Sequence, residues 1–340
     1  MHDLAGVRVL ALVLIPLAVC GQEAVFWQDP ARHQVRFVEV GPGVRLEVLD
    51  WSGSGKPVVL LTGSGNTAHV YDDFADKLAD CCHVYAITRR GFGLSSHPES
   101  GYTDQRLADD VLQVLDALKI DRPVLVGHSM AGSELTTLGA QHSHRLSGLV
   151  YLDALADPAD FPWSDPEYRA VVQSLEPKTP PPPSQLQANR KKSYAAYRAW
   201  QMEAAGFAFC EAEVRNMYEF NPDGSVGAYR TPERIRGTID AGSKKRDYSN
   251  IRVPVLAIYT LPSPAADQLK EHPRSDPAES AAVERKVAME TAWARRYAQN
   301  LRSAVPDARL LEWTGAKHYL FLTREAEVLR EVRAFVAGLR

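Results

Sequence analysis

The sequence predicts an α/β protein: a mostly parallel central sheet with helices on both faces and a helical cap inserted after the sixth strand. Three observations carry this. Short, near-continuous apolar runs rich in Val, Leu and Ile recur along the chain, as strands buried on both faces require. Helical spacing returns between them, for instance in Leu107, Val111, Leu112, Val114, Leu115 and Leu118. Over residues 154–250 the pattern lapses, and prolines, charges and aromatics take over.

Taken in order, residues 35–40 and 45–50 read as two strands joined in an antiparallel hairpin through Gly41-Pro42-Gly43. Further strands are expected at 57–62, 83–88, 123–126, 149–153, 253–259 and 309–313, and a closing helix at about 323–339. Thr103 fits the N-cap of the helix that carries Leu107 to Leu118. Within 154–250, the run Pro180-Pro181-Pro182-Pro183 reads as a stiff connector, and helical spacing returns at 194–206 and 210–220. These assignments divide the chain into a core of 22–153 and 251–340, with 154–250 as a cap over the mouth of the site. The cap aromatics, among them Phe161, Trp163, Tyr197, Trp200, Phe207, Phe209, Tyr218 and Phe220, serve either packing or an apolar pocket, and packing is the commoner use at such spacing.

With 340 residues, 45% of them hydrophobic, the chain is long enough to bury a large core, and a formal net charge of −3 gives no general attraction to nucleic acid. The basic clusters Arg190-Lys191-Lys192 and Lys244-Lys245-Arg246 are read as solvated faces of the insert. Residues 1–21 combine a weakly charged start, an apolar stretch broken by Pro16 and small residues before Gln22. This is the make-up of a secretory signal peptide, too short for a membrane span of roughly 20 residues. It implies a secreted or periplasmic protein. Leu17-Ala18-Val19-Cys20 is similar to a lipoprotein cleavage box, though Val19 is larger than usual there. After the leader, Cys81, Cys82 and Cys210 remain, which is no disulfide framework, and no His/Cys spacing of metal-ligand type appears. No cofactor is expected.

The most informative stretch is Pro123-Val124-Leu125-Val126-Gly127-His128-Ser129-Met130-Ala131-Gly132, an apolar strand running into a serine between small residues. That is the sequence form of a nucleophile elbow: a serine on a sharp strand-to-helix turn, its hydroxyl held clear of the sheet. Ala131 stands where the pattern has its second glycine, and Gly132 gives further slack. His318 lies in the loop after the last strand, where a general base would be placed, and none of the other nine histidines competes with it. Two carboxylates are candidates to orient it: Asp153 at the end of the strand 149–153, and Asp267 in the proline-rich stretch after the strand 253–259. Asp153 is preferred, because the acid must reach the far nitrogen of the imidazole. The loop Thr62-Gly63-Ser64-Gly65-Asn66-Thr67 and the residue after the serine offer backbone N–H groups at Ser64 and Met130 for an oxyanion. A phosphate-binding use of this loop is disfavoured, since no Lys-Ser/Thr completes a P-loop.

With the segment Thr88-Arg89-Arg90-Gly91-Phe92-Gly93-Leu94-Ser95, these motifs resemble the α/β-hydrolase superfamily, in its esterase, epoxide hydrolase and haloalkane dehalogenase-like group. The resemblance runs from about residue 35 to 340 and lapses over the insert. Three departures stand out: Thr62 where His is usual, Thr88 where Asp is usual, and no Gly-x-x-Asp after the strand ending at Tyr259. In the related dehalogenases the acid comes from the position of Asp153. The resemblance implies a Ser129, Asp153, His318 triad, and the serine sets the chain apart from epoxide hydrolases and dehalogenases, whose nucleophile is an aspartate. The expected activity is hydrolysis of a carboxylic ester or similar apolar acyl compound through an acyl-enzyme. The alternatives are an amidase, peptidase or C–C bond hydrolase and, in another class, a noncatalytic ligand-binding protein of this fold.

Overall fold

Alternating side chains of the central strands divide between two apolar layers. Val59, Leu61, Leu125, Leu149, Tyr151 and Ala257 enter one core, while Val58, Leu60, Val124, Val126, Val150 and Leu256 enter the other. A strand period of two places successive residues on opposite faces, so a sheet whose strands are apolar at every position must be covered on both sides. The computed structural model describes residues 27–177 and 182–339. Residues 31–340 form one unit, and of the short preceding unit only 27–30 are described, without helix or strand. The leader expected over 1–21, with Cys20, and part of the proline run at 180–183 lie outside the described residues.

The strands are β1 (Gln34–Glu39), β2 (Arg45–Asp50), β3 (Pro57–Leu61), β4 (His83–Ile87), β5 (Val124–His128), β6 (Gly148–Leu152), β7 (Tyr218–Phe220), β8 (Val226–Tyr229), β9 (Val255–Leu261) and β10 (Arg309–Thr314). The helices are α1 (Asp72–Leu78), α2 (Asp104–Ala117), α3 (Ala131–His142), α4 (Pro166–Leu175), α5 (Gln185–Asn189), α6 (Tyr194–Ala205), α7 (Glu211–Met217), α8 (Glu233–Gly242), α9 (Ala265–Glu271), α10 (Pro277–Ala304), α11 (Leu320–Thr323) and α12 (Glu325–Gly338). Eight strands form one sheet in the order β1-β2-β4-β3-β5-β6-β9-β10. The β1/β2 and β2/β4 pairs are antiparallel and the remaining pairs parallel. β5 and β6 are buried throughout, so the loops at their C-terminal ends open over the middle of the sheet, where this architecture places its sites.

The hairpin expected through Gly41-Pro42-Gly43 closes with Val40 N–H on Val44 O at 2.8 Å, and the Thr103 hydroxyl caps α2 by accepting from Arg106 N–H. Other elements correct the sequence expectation. The fifth strand runs on through His128 rather than stopping at 126, which carries it straight into Ser129. The helix expected over 210–220 ends at Met217, and residues 218–220 pair with β8 in a hairpin, so the insert between β6 and β9 is not purely helical. Asn221-Pro222-Asp223-Gly224 turns that hairpin, with Asn221 N–H on Ser225 O at 2.9 Å. The closing helix is split at Arg324 into α11 and α12. α10, which apolar spacing did not reveal, starts behind an Asp276 N-cap with Pro277 in its first turn and buries Val283, Trp293, Tyr297 and Leu301. Among the described residues no helix is long and apolar enough to cross a membrane.

Candidate active site

Ser129 follows β5 directly and has φ = +55°, a left-handed conformation that a residue with a side chain rarely adopts. Such strain costs about 1–3 kcal/mol and persists only where the surroundings enforce it. Here its N–H donates to Leu152 O at 3.2 Å and its carbonyl accepts from Gly132 N–H at 3.0 Å, so the turn is pinned between β6 and the start of α3. Two glycines make room. A Cβ on Gly127 would lie 2.8 Å from Leu135 Cδ1 and 3.0 Å from the Ala131 Cβ, and one on Gly132 would lie 1.9 Å from Ala154 O. The tighter of the two is Gly132, whose Cβ would meet a backbone oxygen, whereas the Cβ of Ala131 is buried in the core without such a contact.

Beyond β10, His318 reaches back over the elbow. Its Nε2 lies 2.9 Å from Ser129 Oγ and its Nδ1 2.6 Å from Asp153 Oδ2. Asp153, just past β6 with φ = +45°, is fixed in turn: its N–H donates to Ile258 O at 2.7 Å, and its Oδ1 accepts from Thr260 N–H at 2.9 Å and from the Thr260 hydroxyl at 3.0 Å. Burial pushes the Asp153 carboxyl up, but the hydrogen bond and charge of His318 and the two Thr260 donors outweigh it and hold the group below the usual carboxylate range. The structure thus brings Ser129, His318 and Asp153 together. Asp267 is exposed on α9 and does not join them. His128, next to the serine, is buried and pushed down to about 3 by burial first and then by the proximity of His318; neutral, it donates from Nε2 to the His318 carbonyl at 3.0 Å and steadies that loop.

The loop after β3 is held from several sides. Arg89, paired with buried Glu134 through Nε at 2.8 Å, donates from Nη2 to Thr62 O at 2.8 Å. Thr88, in place of the aspartate that the resemblance would put there, accepts from Ala68 N–H at 2.8 Å and donates to Glu47 at 2.7 Å. From the insert, the Tyr229 hydroxyl donates to Gly65 O at 2.9 Å, and Glu213 accepts from Asn66 Nδ2 at 2.9 Å, from Thr67 N–H at 3.1 Å and from the Thr67 hydroxyl. Tyr319, next to the histidine, donates to Asn66 Oδ1 at 2.9 Å. Burial raises the Glu213 carboxyl to about 7 against the lowering effect of its donors. Ser64 and Met130 line the same cavity as Ser129 and His318. Sequence reading missed Glu213, Tyr229 and Thr260. For Glu213 the signal was faint, a carboxylate four residues before Met217 on a buried helix face.

The description Alpha/beta hydrolase family matches residues 58–331, most of the chain. The chain belongs to the Alpha/beta hydrolase family. Similar relatives are epoxide hydrolase A of Mycobacterium tuberculosis, 34% identical over 120 residues (34% of this chain, 37% of that protein), and 2-(acetamidomethylene)succinate hydrolase of Mesorhizobium japonicum, 30% identical over 118 residues (35% and 42%). The matched stretch spans less than half the length of these relatives. A solved E-2-(acetamidomethylene)succinate hydrolase superposes with a TM-score of 0.62 over 90% of this chain and 100% of that one, at 20% identity, which is a likeness of fold.

In this member of the alpha/beta hydrolase family the relay opens into a cavity of about 650 Å³, within the range of small-molecule sites. Of the insert aromatics, Phe161 and Trp163 line it together with Tyr168, whereas Tyr197, Trp200, Phe207, Phe209 and Tyr218 pack into one of the two cores, Phe207 and Phe209 against Tyr319. One residue departs from its sequence reading: Arg246, taken with Lys244 and Lys245 as part of a solvated face, turns into this cavity.

Proposed function

We propose that this chain is a serine hydrolase that cleaves a carboxylic ester through an acyl-enzyme. The observation that carries the reading is the continuous relay from Ser129 Oγ through both nitrogens of His318 to Asp153, at 2.9 and 2.6 Å. Ser129 Oγ attacks the ester carbonyl as its proton passes to His318 Nε2, and Asp153 holds Nδ1–H and stabilises the imidazolium that forms. The backbone N–H groups of Ser64 and Met130 receive the negative charge on the carbonyl oxygen. His318 then returns the proton to the departing alkoxide, and the same relay activates water to release the acid.

The insert contributes Phe161, Trp163 and Tyr168 to the cavity wall and Glu213 and Tyr229 to the loop bearing Ser64, which supports its role as a cap that shapes the site. The reading is tested by Ser129→Ala on a short-chain aryl ester: turnover should fall to the residual, on the order of 10³–10⁴ over water, that binding and the oxyanion donors supply. A variant with wild-type turnover would remove Ser129 from the mechanism.

A further inference from the structure

One side of the catalytic cavity carries polar groups that the relay does not use. Ser133, on the first turn of α3 and four residues beyond Ser129, is 5% exposed, and its Oγ has no hydrogen-bond partner. Arg246 reaches the same place from the end of the insert. A Cβ on Gly132 would lie 2.5 Å from its Nη1 and 2.8 Å from its Nη2, which puts the guanidinium directly over the residue before Ser133. Nη1 donates to Ala154 O, but the buried Nε has no partner, and among the described residues no carboxylate forms an ion pair with this guanidinium. Ser133 and Arg246 are also the two residues that line both the 650 Å³ cavity and an adjoining one of about 370 Å³.

None of the nearby acids among the described residues pairs with the Arg246 side chain. Glu290 is bound by Lys286 at 2.8 Å and by the Tyr168 hydroxyl at 2.6 Å, and Asp153 by His318 and Thr260. Asp157 accepts from the Arg246 backbone N–H at 3.3 Å, not from its side chain, and Asp240 is exposed. The backbone N–H groups of Gly132 and Ser133 are already spent, on Ser129 O at 3.0 Å and on Met130 O at 3.1 Å. The unused donors on this side of the cavity are a hydroxyl and a guanidinium edge. Buried donors without an acceptor are costly, and an uncompensated guanidinium at a cavity wall favours an anion there.

We propose that Ser133 and Arg246 form a subsite for a carboxylate carried by the substrate, so that the cavity selects monoanionic acyl esters over neutral ones. One guanidinium and one hydroxyl match the two oxygens of a single carboxylate. Ser133 lies four residues beyond Ser129 and lines the same cavity, so a substrate that reaches both is the half-ester of a short dicarboxylic acid such as glutarate. The proposal rests on the reading of Ser129 as nucleophile.

The test compares kcat/KM for ethyl hydrogen glutarate with that for its neutral isostere ethyl 5-methylhexanoate, each assayed by acid release. The wild type should prefer the half-ester by about tenfold or more; Arg246→Met should bring that ratio down to about one, and Ser133→Ala should lower it by a few-fold. Because Arg246 also holds the Ala154 carbonyl, Arg246→Lys is measured beside it and should keep part of the preference. Calorimetric binding of the two esters to Ser129→Ala reads the subsite without catalysis and should favour the half-ester likewise. Equal kcat/KM for the two esters in the wild type, or an unaltered ratio in Arg246→Met, overturns the proposal. If neither ester is cleaved, the hydrolytic reading fails, and the Ser129→Ala binding preference still decides the subsite: a preference upholds it and equal binding overturns it.

Discussion

Asp153→Asn removes one charge and almost no volume, and the hydrogen bonds around the carboxylate determine its effect. Oδ1 of Asp153 takes both Thr260 donors, at 2.9 and 3.0 Å, and one of them is a backbone N–H that cannot become an acceptor. In the variant the amide oxygen therefore stays on Thr260, and the amide NH₂ is left facing His318 Nδ1 across the present 2.6 Å. Two donors cannot share that contact. The imidazole must carry its proton on Nε2, facing Ser129 Oγ, where it can no longer accept the serine proton. The wrong tautomer should lower kcat by about 10⁴, or about 5.4 kcal/mol of transition-state stabilisation. The assay is saturating turnover of a short-chain aryl ester, with Asp267→Asn as control. Asp267 is exposed on α9, so that variant should stay within about twofold of wild type. An Asp153→Asn enzyme within tenfold of wild type, or an inactive Asp267→Asn, would refute the reasoning.

Glu213→Gln tests the buried carboxylate that clamps the loop after β3. With its folded pKa raised from 4.5 to about 7, the folded state holds a proton that the unfolded chain has lost between those values, so Glu213 makes stability fall as pH rises through that window, by on the order of 3 kcal/mol in full. A glutamine amide can still accept from Asn66 and Thr67 N–H and can donate to the Thr67 hydroxyl, so urea midpoints between about pH 5 and pH 8 should fall less steeply in the variant; parallel profiles would contradict this. Gly132→Ala places a Cβ 1.9 Å from Ala154 O, and the overpacking should cost at least 1–3 kcal/mol of stability, read from urea unfolding; a wild-type midpoint would show that the elbow has room for it.

The sheet and the relay were legible because each rests on a local signal: apolar runs bounded by turns for the strands, small residues around Ser129 for the elbow, and chain order for His318. Asp153 was harder. Its preference over Asp267 depended on three-dimensional reach, and Thr260, which fixes it, belongs to a strand more than a hundred residues away. The insert was least legible. The turn Asn221-Pro222-Asp223-Gly224 lies just past what read as a helix over 210–220 and turns a hairpin that takes up its last three residues, the apolar residues in the first half of α10 are mostly alanines, and Glu213 acquires its meaning only through contacts with Asn66 and Thr67. Arg246 shows the limit of reading charge runs from sequence: Lys244 and Lys245 are exposed, while the next side chain lines the cavity.

The most direct test is the intact mass of the purified enzyme after treatment with a fluorophosphonate, combined with peptide mapping. A live Ser129, His318, Asp153 relay makes Ser129 the reactive serine, so one adduct per chain should form and map to the peptide carrying Ser129. Labelling should be lost in Ser129→Ala and strongly slowed in His318→Ala. A folded sample that takes up no label, or an adduct that maps to any other serine, would contradict the account.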